Sequence, residues 1–135
     1  MEELLTGIYN LFNTSNSLNT ALSGRFYLGF APQGSSSPYG VYFVVTSNYD
    51  FMFRPASTGN QYEEVIIQMN FYSKNSSSSE VRTILGYAKT LFDFCNPTVS
   101  GYVVSTFERQ WSLIEWIPED EMWQGLLQYR VLLNK

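Results

Sequence analysis

Leu4, Leu5, Ile8, Leu11 and Phe12 recur at steps of three and four residues, so the chain opens on an amphipathic helix with one apolar face. Asn13 through Ser17 breaks that period, because short polar side chains compete for backbone hydrogen bonds. Leu18, Ala21 and Leu22 predict a second, short helical turn, and Gly24 supplies the left-handed stop after it. The stretch from Gly29 to Pro38 is rich in Gly, Ser and Pro and reads as an exposed loop.

The period then changes from helical to alternating. From about Pro38 to Thr46, Val41, Phe43 and Val45 lie on one face of a strand and Tyr42 and Val44 on the other. With both faces apolar, this strand is expected to be central or covered on two sides. Asp50 to Asn60 carries Arg54-Pro55 and Thr58-Gly59, so it reads as a long hairpin loop with Phe51 and Phe53 at its tip. The next strand is the cleanest: Val65, Ile67, Met69 and Phe71 alternate with Glu64, Gln68, Asn70 and Tyr72, and only Ile66 departs.

Asn75 to Ser79 turns the chain into its strongest helix. Ser77 and Glu80 have the spacing of a capping box, and Val81, Ile84, Leu85, Ala88, Leu91, Phe92 and Cys95 form one stripe. Asn96-Pro97 is the expected stop, since proline disfavours helical geometry in the residue before it. Two strands finish the chain, Tyr102 to about Ile117, with a slip near Arg109-Gln110, and Met122 to Leu133. Between them Pro118-Glu119-Asp120-Glu121 makes an acidic turn. The order helix, strand, strand, helix, strand, strand predicts a single α+β domain over residues 1–135, an antiparallel sheet of about four strands with helices packed on one face.

Composition narrows the chemistry. The 135 residues suit one domain, and at 44% hydrophobic and 15% charged the chain can build a core without metals or disulfides. Eight basic and 12 acidic residues give a net charge of -4, which argues against tight or sequence-specific binding to nucleic-acid phosphates. Without histidine there is no imidazole base or ligand, and a single cysteine forbids an internal disulfide or a multi-cysteine metal cluster. The acidic start Met1-Glu2-Glu3 does not resemble a signal peptide, and no apolar run reaches the roughly 20 residues of a membrane helix. No membrane contact and no cofactor are expected.

Single residues reinforce that reading. Cys95 sits on the apolar stripe with no partner to activate it, which fits a buried thiol. Glu63 and Glu64 are adjacent on a strand, so they point to opposite faces rather than acting as a pair, and a solvated edge is expected. Glu115, Glu119, Asp120 and Glu121 offer oxygen ligands but lack the spaced Asp/Asn-Gly pattern of a calcium loop. The serine runs 35–37 and 76–79 match no nucleophile elbow or phosphate loop. No catalytic constellation emerges, and an enzyme is not expected. Phe51, Phe53, Trp111, Trp116 and Trp123 are the aromatics with the composition of a contact surface, the alternative being that the tryptophans are core.

Several local patterns, taken in order, resemble the tail completion or tail terminator proteins of long-tailed bacteriophages and prophages. They are the acidic-started helix Glu2 to Phe12, Gly24-Arg25-Phe26-Tyr27, Ala31-Pro32, Ser37-Pro38-Tyr39-Gly40-Val41-Tyr42, Ile67-Gln68-Met69-Asn70-Phe71-Tyr72 and Gln128-Tyr129-Arg130-Val131. The resemblance implies a virion protein at the head-proximal end of the tail, forming a ring of commonly six copies that ends tube growth and joins tail to head. Its implied partners are further copies of itself, the major tail tube protein and a head-neck connector protein, with DNA passing through the ring. On that reading Phe51, Phe53 and Arg54 are candidates for the subunit interface, and Glu119, Asp120 and Glu121 for the channel wall, where carboxylates repel passing phosphates. A neck or connector ring, and a small domain enclosing an apolar ligand, are the alternatives.

Overall fold

The computed structural model describes residues 2–50 and 62–134. Its elements are α1 (Glu2–Phe12), α2 (Ser17–Leu22), β1 (Phe26–Leu28), β2 (Tyr39–Asp50), β3 (Tyr62–Ser73), α3 (Ser79–Phe92), β4 (Val103–Ile117) and β5 (Met122–Asn134). The strands form a mixed five-stranded sheet in the order β1-β2-β3-β5-β4. β1 runs parallel to β2, and every other neighbouring pair is antiparallel. The expected four-stranded antiparallel sheet therefore gains a parallel edge. Three residues are too few to show alternation, so Phe26-Tyr27-Leu28 carries no strand signal of its own and forms only by pairing with Gly40, Val41 and Tyr42.

All three helices lie on one face. Pairing sets the side chains of that face: Val65 lies opposite Val131, Ile67 opposite Tyr129 and Met69 opposite Leu127, all fully buried. Leu4, Ile8 and Phe12 of α1, Leu18 and Leu22 of α2, and Ile84, Leu85, Ala88 and Phe92 of α3 complete the same core. Phe26 is its aromatic centre, with ring centroids 4.6 Å from Phe12, 4.5 Å from Tyr42 and 6.0 Å from Phe71. Close approach requires glycine at two points. A Cβ on Gly40 would stand 2.8 Å from the Phe26 ring and 2.9 Å from the Phe71 ring, and one on Gly7 would stand 2.6 Å from the carbonyl oxygen of Thr98.

β2 is interior, paired with β1 at its start and with β3 along its length, which meets the expectation of a central strand, and Val45 is exposed on the side without helices. Two local expectations change. The capping box does not form. α3 is capped at Ser78 without a side-chain bond, the Ser77 hydroxyl accepts from Ser79 N, and the Glu80 carboxylate instead accepts from the buried Ser73 hydroxyl at 2.5 Å. α3 also stops at Phe92, before Asn96-Pro97, because Phe94 turns left-handed with φ of 56° and donates its backbone N–H to Phe107 of β4. Cys95 therefore lies beyond the helix, half-buried against the core. The slip expected near Arg109-Gln110 is a bulge between Arg109 and Trp111, and a second bulge falls between Val104 and Thr106.

Candidate functional site

The helices leave one sheet face uncovered, and the register identifies its residues. Phe43, Gln68, Gln128 and Trp111 lie in one row across β2, β3, β5 and β4, and Val41, Asn70, Leu126 and Leu113 in the next. Polar side chains bind one another along this face. Gln68 donates to Asn70 at 2.9 Å, Gln124 donates to the Tyr72 hydroxyl at 3.1 Å, and Arg130 donates to Glu64 at 2.7 Å. Val41 and Leu126 are buried between these larger side chains but belong to no part of the main core. At the β4 edge the cover ends: Trp111 is 40% and Leu113 47% exposed.

The β4–β5 hairpin is also the acidic part of the protein. Glu108, Glu115, Glu119, Asp120 and Glu121 are exposed on it. Among the described residues the ion pairs are Arg130 with Glu64 and Arg109 with Asp93, so those five carboxylates lack a cationic partner there. The candidate residues Glu119, Asp120 and Glu121 form the tight turn of this hairpin, closed by Glu121 N donating to Pro118 O at 3.3 Å. Asp120 approaches the start of β2: the Tyr39 hydroxyl is held above its ordinary pKa by burial, then by Tyr72, then by the Asp120 charge. Phe51, Phe53 and Arg54 lie outside the described residues. The ends of β2 and β3 that lead to them are the opposite end of the sheet from the acidic turn.

The other singled-out residues fall as follows. Glu63 is not a solvated edge residue. β3 is interior, so Glu63 is only 8% exposed, with one carboxylate oxygen accepting from the Ser47 hydroxyl at 2.6 Å and the other buried without a hydrogen-bond partner among the described residues. Burial pushes the Cys95 thiol up to about 12, with the nearby Asp93 charge adding to the rise against its own backbone hydrogen bond. That thiol is not a nucleophile near neutrality. Trp116 and Trp123 stack edge to face at 5.3 Å beside the hairpin turn, with Trp116 41% exposed.

Exposed apolar groups missed in the sequence lie at the lateral edges. Leu28 ends β1 and Phe30 follows it at one edge, while Phe94 and Val103 lie beside the start of β4 at the other. Phe30 and Phe94 are 78% and 81% exposed. Only the left-handed turn at Phe94 and the unforeseen strand β1 put them there. Grooves run beside the helices. One of about 260 Å³ separates α1 from the sheet and includes Leu5, Tyr9, Leu28 and Tyr42. Another of about 270 Å³ lies between α2 and α3 and includes Leu18, Tyr87, Thr90 and Leu91. Both are open clefts at the surface. The large aromatics that a ligand carrier would leave around a cavity are packed on each other instead. Among the described residues no helix is long and apolar enough to cross a membrane.

No family model and no curated protein matches this chain. A solved structure does: a chain described as "Virion of native gene transfer agent (GTA) particle" superposes with a TM-score of 0.72, covering 95% of this chain and 92% of its own length at 9% identity. The two share their fold from end to end.

Proposed function

We propose that this chain is a structural protein of a phage-like particle, that it assembles as a ring at the head-proximal end of the tail tube, and that the ring ends tube growth and joins tail to head. The observation that supports this most is the near-complete overlap of the whole chain with a component of a gene transfer agent virion. The surface agrees with such a role. Exposed aromatic and aliphatic side chains at both lateral edges of the sheet, Leu28 and Phe30 against Phe94, Trp111 and Leu113, provide two different contact surfaces, which is what head-to-tail closure of a ring needs.

Copies of the chain, the tail tube protein and a head-neck connector are the partners on this reading, and the protein has no enzymatic step. On the same reading Phe51, Phe53 and Arg54 contribute to the contact with a neighbouring copy, and the acidic turn Glu119–Glu121 lines the path of the DNA. Light scattering of the purified protein, with and without isolated tube ends, and electron microscopy of tails lacking it test the proposal. Rings of defined mass and overlong tubes in its absence are expected. A permanent monomer that is absent from purified tails would overturn it.

A further inference from the structure

Resting on that reading, we propose that neighbouring copies join edge to edge, the second half of β2 in one copy pairing antiparallel with the second half of β4 in the next. The chain covers each of its sheet edges only in part. β1 occupies the outer side of β2 at Gly40, Val41 and Tyr42, and Gly29 N closes that cover on Tyr42 O. At the other edge Phe94 N closes on Phe107 O of β4. Among the described residues nothing pairs with the outer side of β2 from Phe43 to Asp50, or with that of β4 from Arg109 to Ile117. An open strand edge without proline or lysine is a template for another strand, and neither stretch has either residue.

Direction, hydrogen-bonding side and side-chain face all fit a second copy. β2, β3, β5 and β4 alternate in direction, so copies held in one orientation around a ring bring β4 beside β2 antiparallel. Along an antiparallel ladder successive residues turn their N–H and C=O to alternate sides. Tyr42 and Phe107 turn theirs outward, and by the register so do Val44 and Ser47 on β2 and Ser112, Ile114 and Trp116 on β4. Setting Val44 opposite Trp116 and Ser47 opposite Ile114 joins these groups and keeps the helices of both copies on one side. It also sets Phe43 opposite Ile117, and β-branched residues beside aromatic ones are a favourable cross-strand pair. The pairing ends at Phe43, where the cover from β1 begins. Within one copy Thr46 shares a row with Glu108, whereas here it meets Glu115 of the next copy. That displacement is the stagger with which tilted strands close a barrel.

Disulfide trapping tests it. Thr46→Cys and Glu115→Cys, introduced together in a Cys95→Ala background, should give a ladder of cross-linked species up to the full ring on mild oxidation. Both positions are exposed, so thermal melting should be unchanged before oxidation. Either change alone should give no cross-link, and the two single variants mixed should give only dimers. Ser112→Pro removes an outward N–H that the bonds to β5 do not use, and should raise the concentration for half-assembly at least about tenfold. Ser112→Ala should assemble normally. Cross-linking of Thr46→Cys with Glu108→Cys, in place of Glu115→Cys, would mean edges joined without stagger and overturn this register. Rings that assemble but neither cross-link nor respond to the proline would overturn the contact and leave the ring reading standing. Failure to assemble under any condition, tube ends included, would overturn the ring reading itself. A different protein found cross-linked through position 115 would assign the β4 edge to that partner and refute a second copy.

Discussion

The hydroxyl of Tyr129, on the central strand β5, donates to Asp93 Oδ1 at 2.7 Å, at the residue that caps the end of α3. Arg109 of β4 approaches the other oxygen of the same carboxylate at 3.5 Å. One side chain thus fastens the helix layer to two strands where α3 ends and the left-handed turn at Phe94 begins. Asp93→Ala leaves the buried tyrosine hydroxyl without an acceptor and should cost about 1–3 kcal/mol in urea titration. Tyr129→Phe removes donor and need together, while Asp93 keeps Arg109 and water. It should cost less than Asp93→Ala, and the reverse order would show that the contact does not hold α3.

Two glycines should respond to alanine with opposite signs. Gly40→Ala drives a methyl group into the buried rings of Phe26 and Phe71 and should destabilise by about 1–3 kcal/mol. Gly86 lies on the exposed side of α3, where an added methyl group would meet nothing within 4 Å. Gly86→Ala should therefore stabilise by about 0.5–1 kcal/mol. Thermal melts of both variants decide it.

Cys95 gives a pH signature. Its thiol is raised by burial from an ordinary 9.0 to about 12, so the folded protein holds a proton that the unfolded chain releases above pH 9. The associated stability is complete below pH 9 and is lost as pH climbs through 12. Cys95→Ala should therefore flatten the alkaline limb of the stability curve. At pH 8 the native thiol should react with a disulfide reagent at least about tenfold more slowly than in denaturant, because its smaller thiolate fraction outweighs the greater nucleophilicity of a higher-pKa thiolate. Equal rates in both states would show the thiol to be accessible.

Around the start of α3 the order of effects inverts the capping-box expectation. Ser73→Ala removes the buried donor to Glu80 and should cost about 1–2 kcal/mol. Ser77→Ala loses only a surface contact to Ser79 N at 3.2 Å and should cost less than about 0.5 kcal/mol. Leu85→Ala, under the same helix, should cost about 2–5 kcal/mol. Urea titrations of the three variants should rank them Leu85, Ser73, Ser77.

If the acidic turn borders the DNA path, changing Glu119, Asp120 and Glu121 together to lysine should leave folding intact, since all are exposed. Particles carrying those lysines should eject DNA more slowly, most visibly at low salt, where screening is weakest. Unchanged ejection kinetics would remove the turn from the channel wall.

Local sequence pattern set the alternating and helical periods, and with them the covered face. Met69 and Leu127, or Leu4 and Ile8, are buried because a period of two or 3.6 leaves them no other side to face. It also excluded imidazole and multi-cysteine chemistry and located the acidic turn. Contacts between distant segments settle what period cannot encode. Whether β3 was interior, and so whether Glu63 was wetted or buried, depended on which strands came to lie beside it. The strand at Phe26–Leu28 exists only because Gly40 lets its aromatic ring approach, and the uncovered face exists because all three helices pack on the other side. Local pattern fixes which way a side chain points, but what it meets there is set by chain segments distant in sequence.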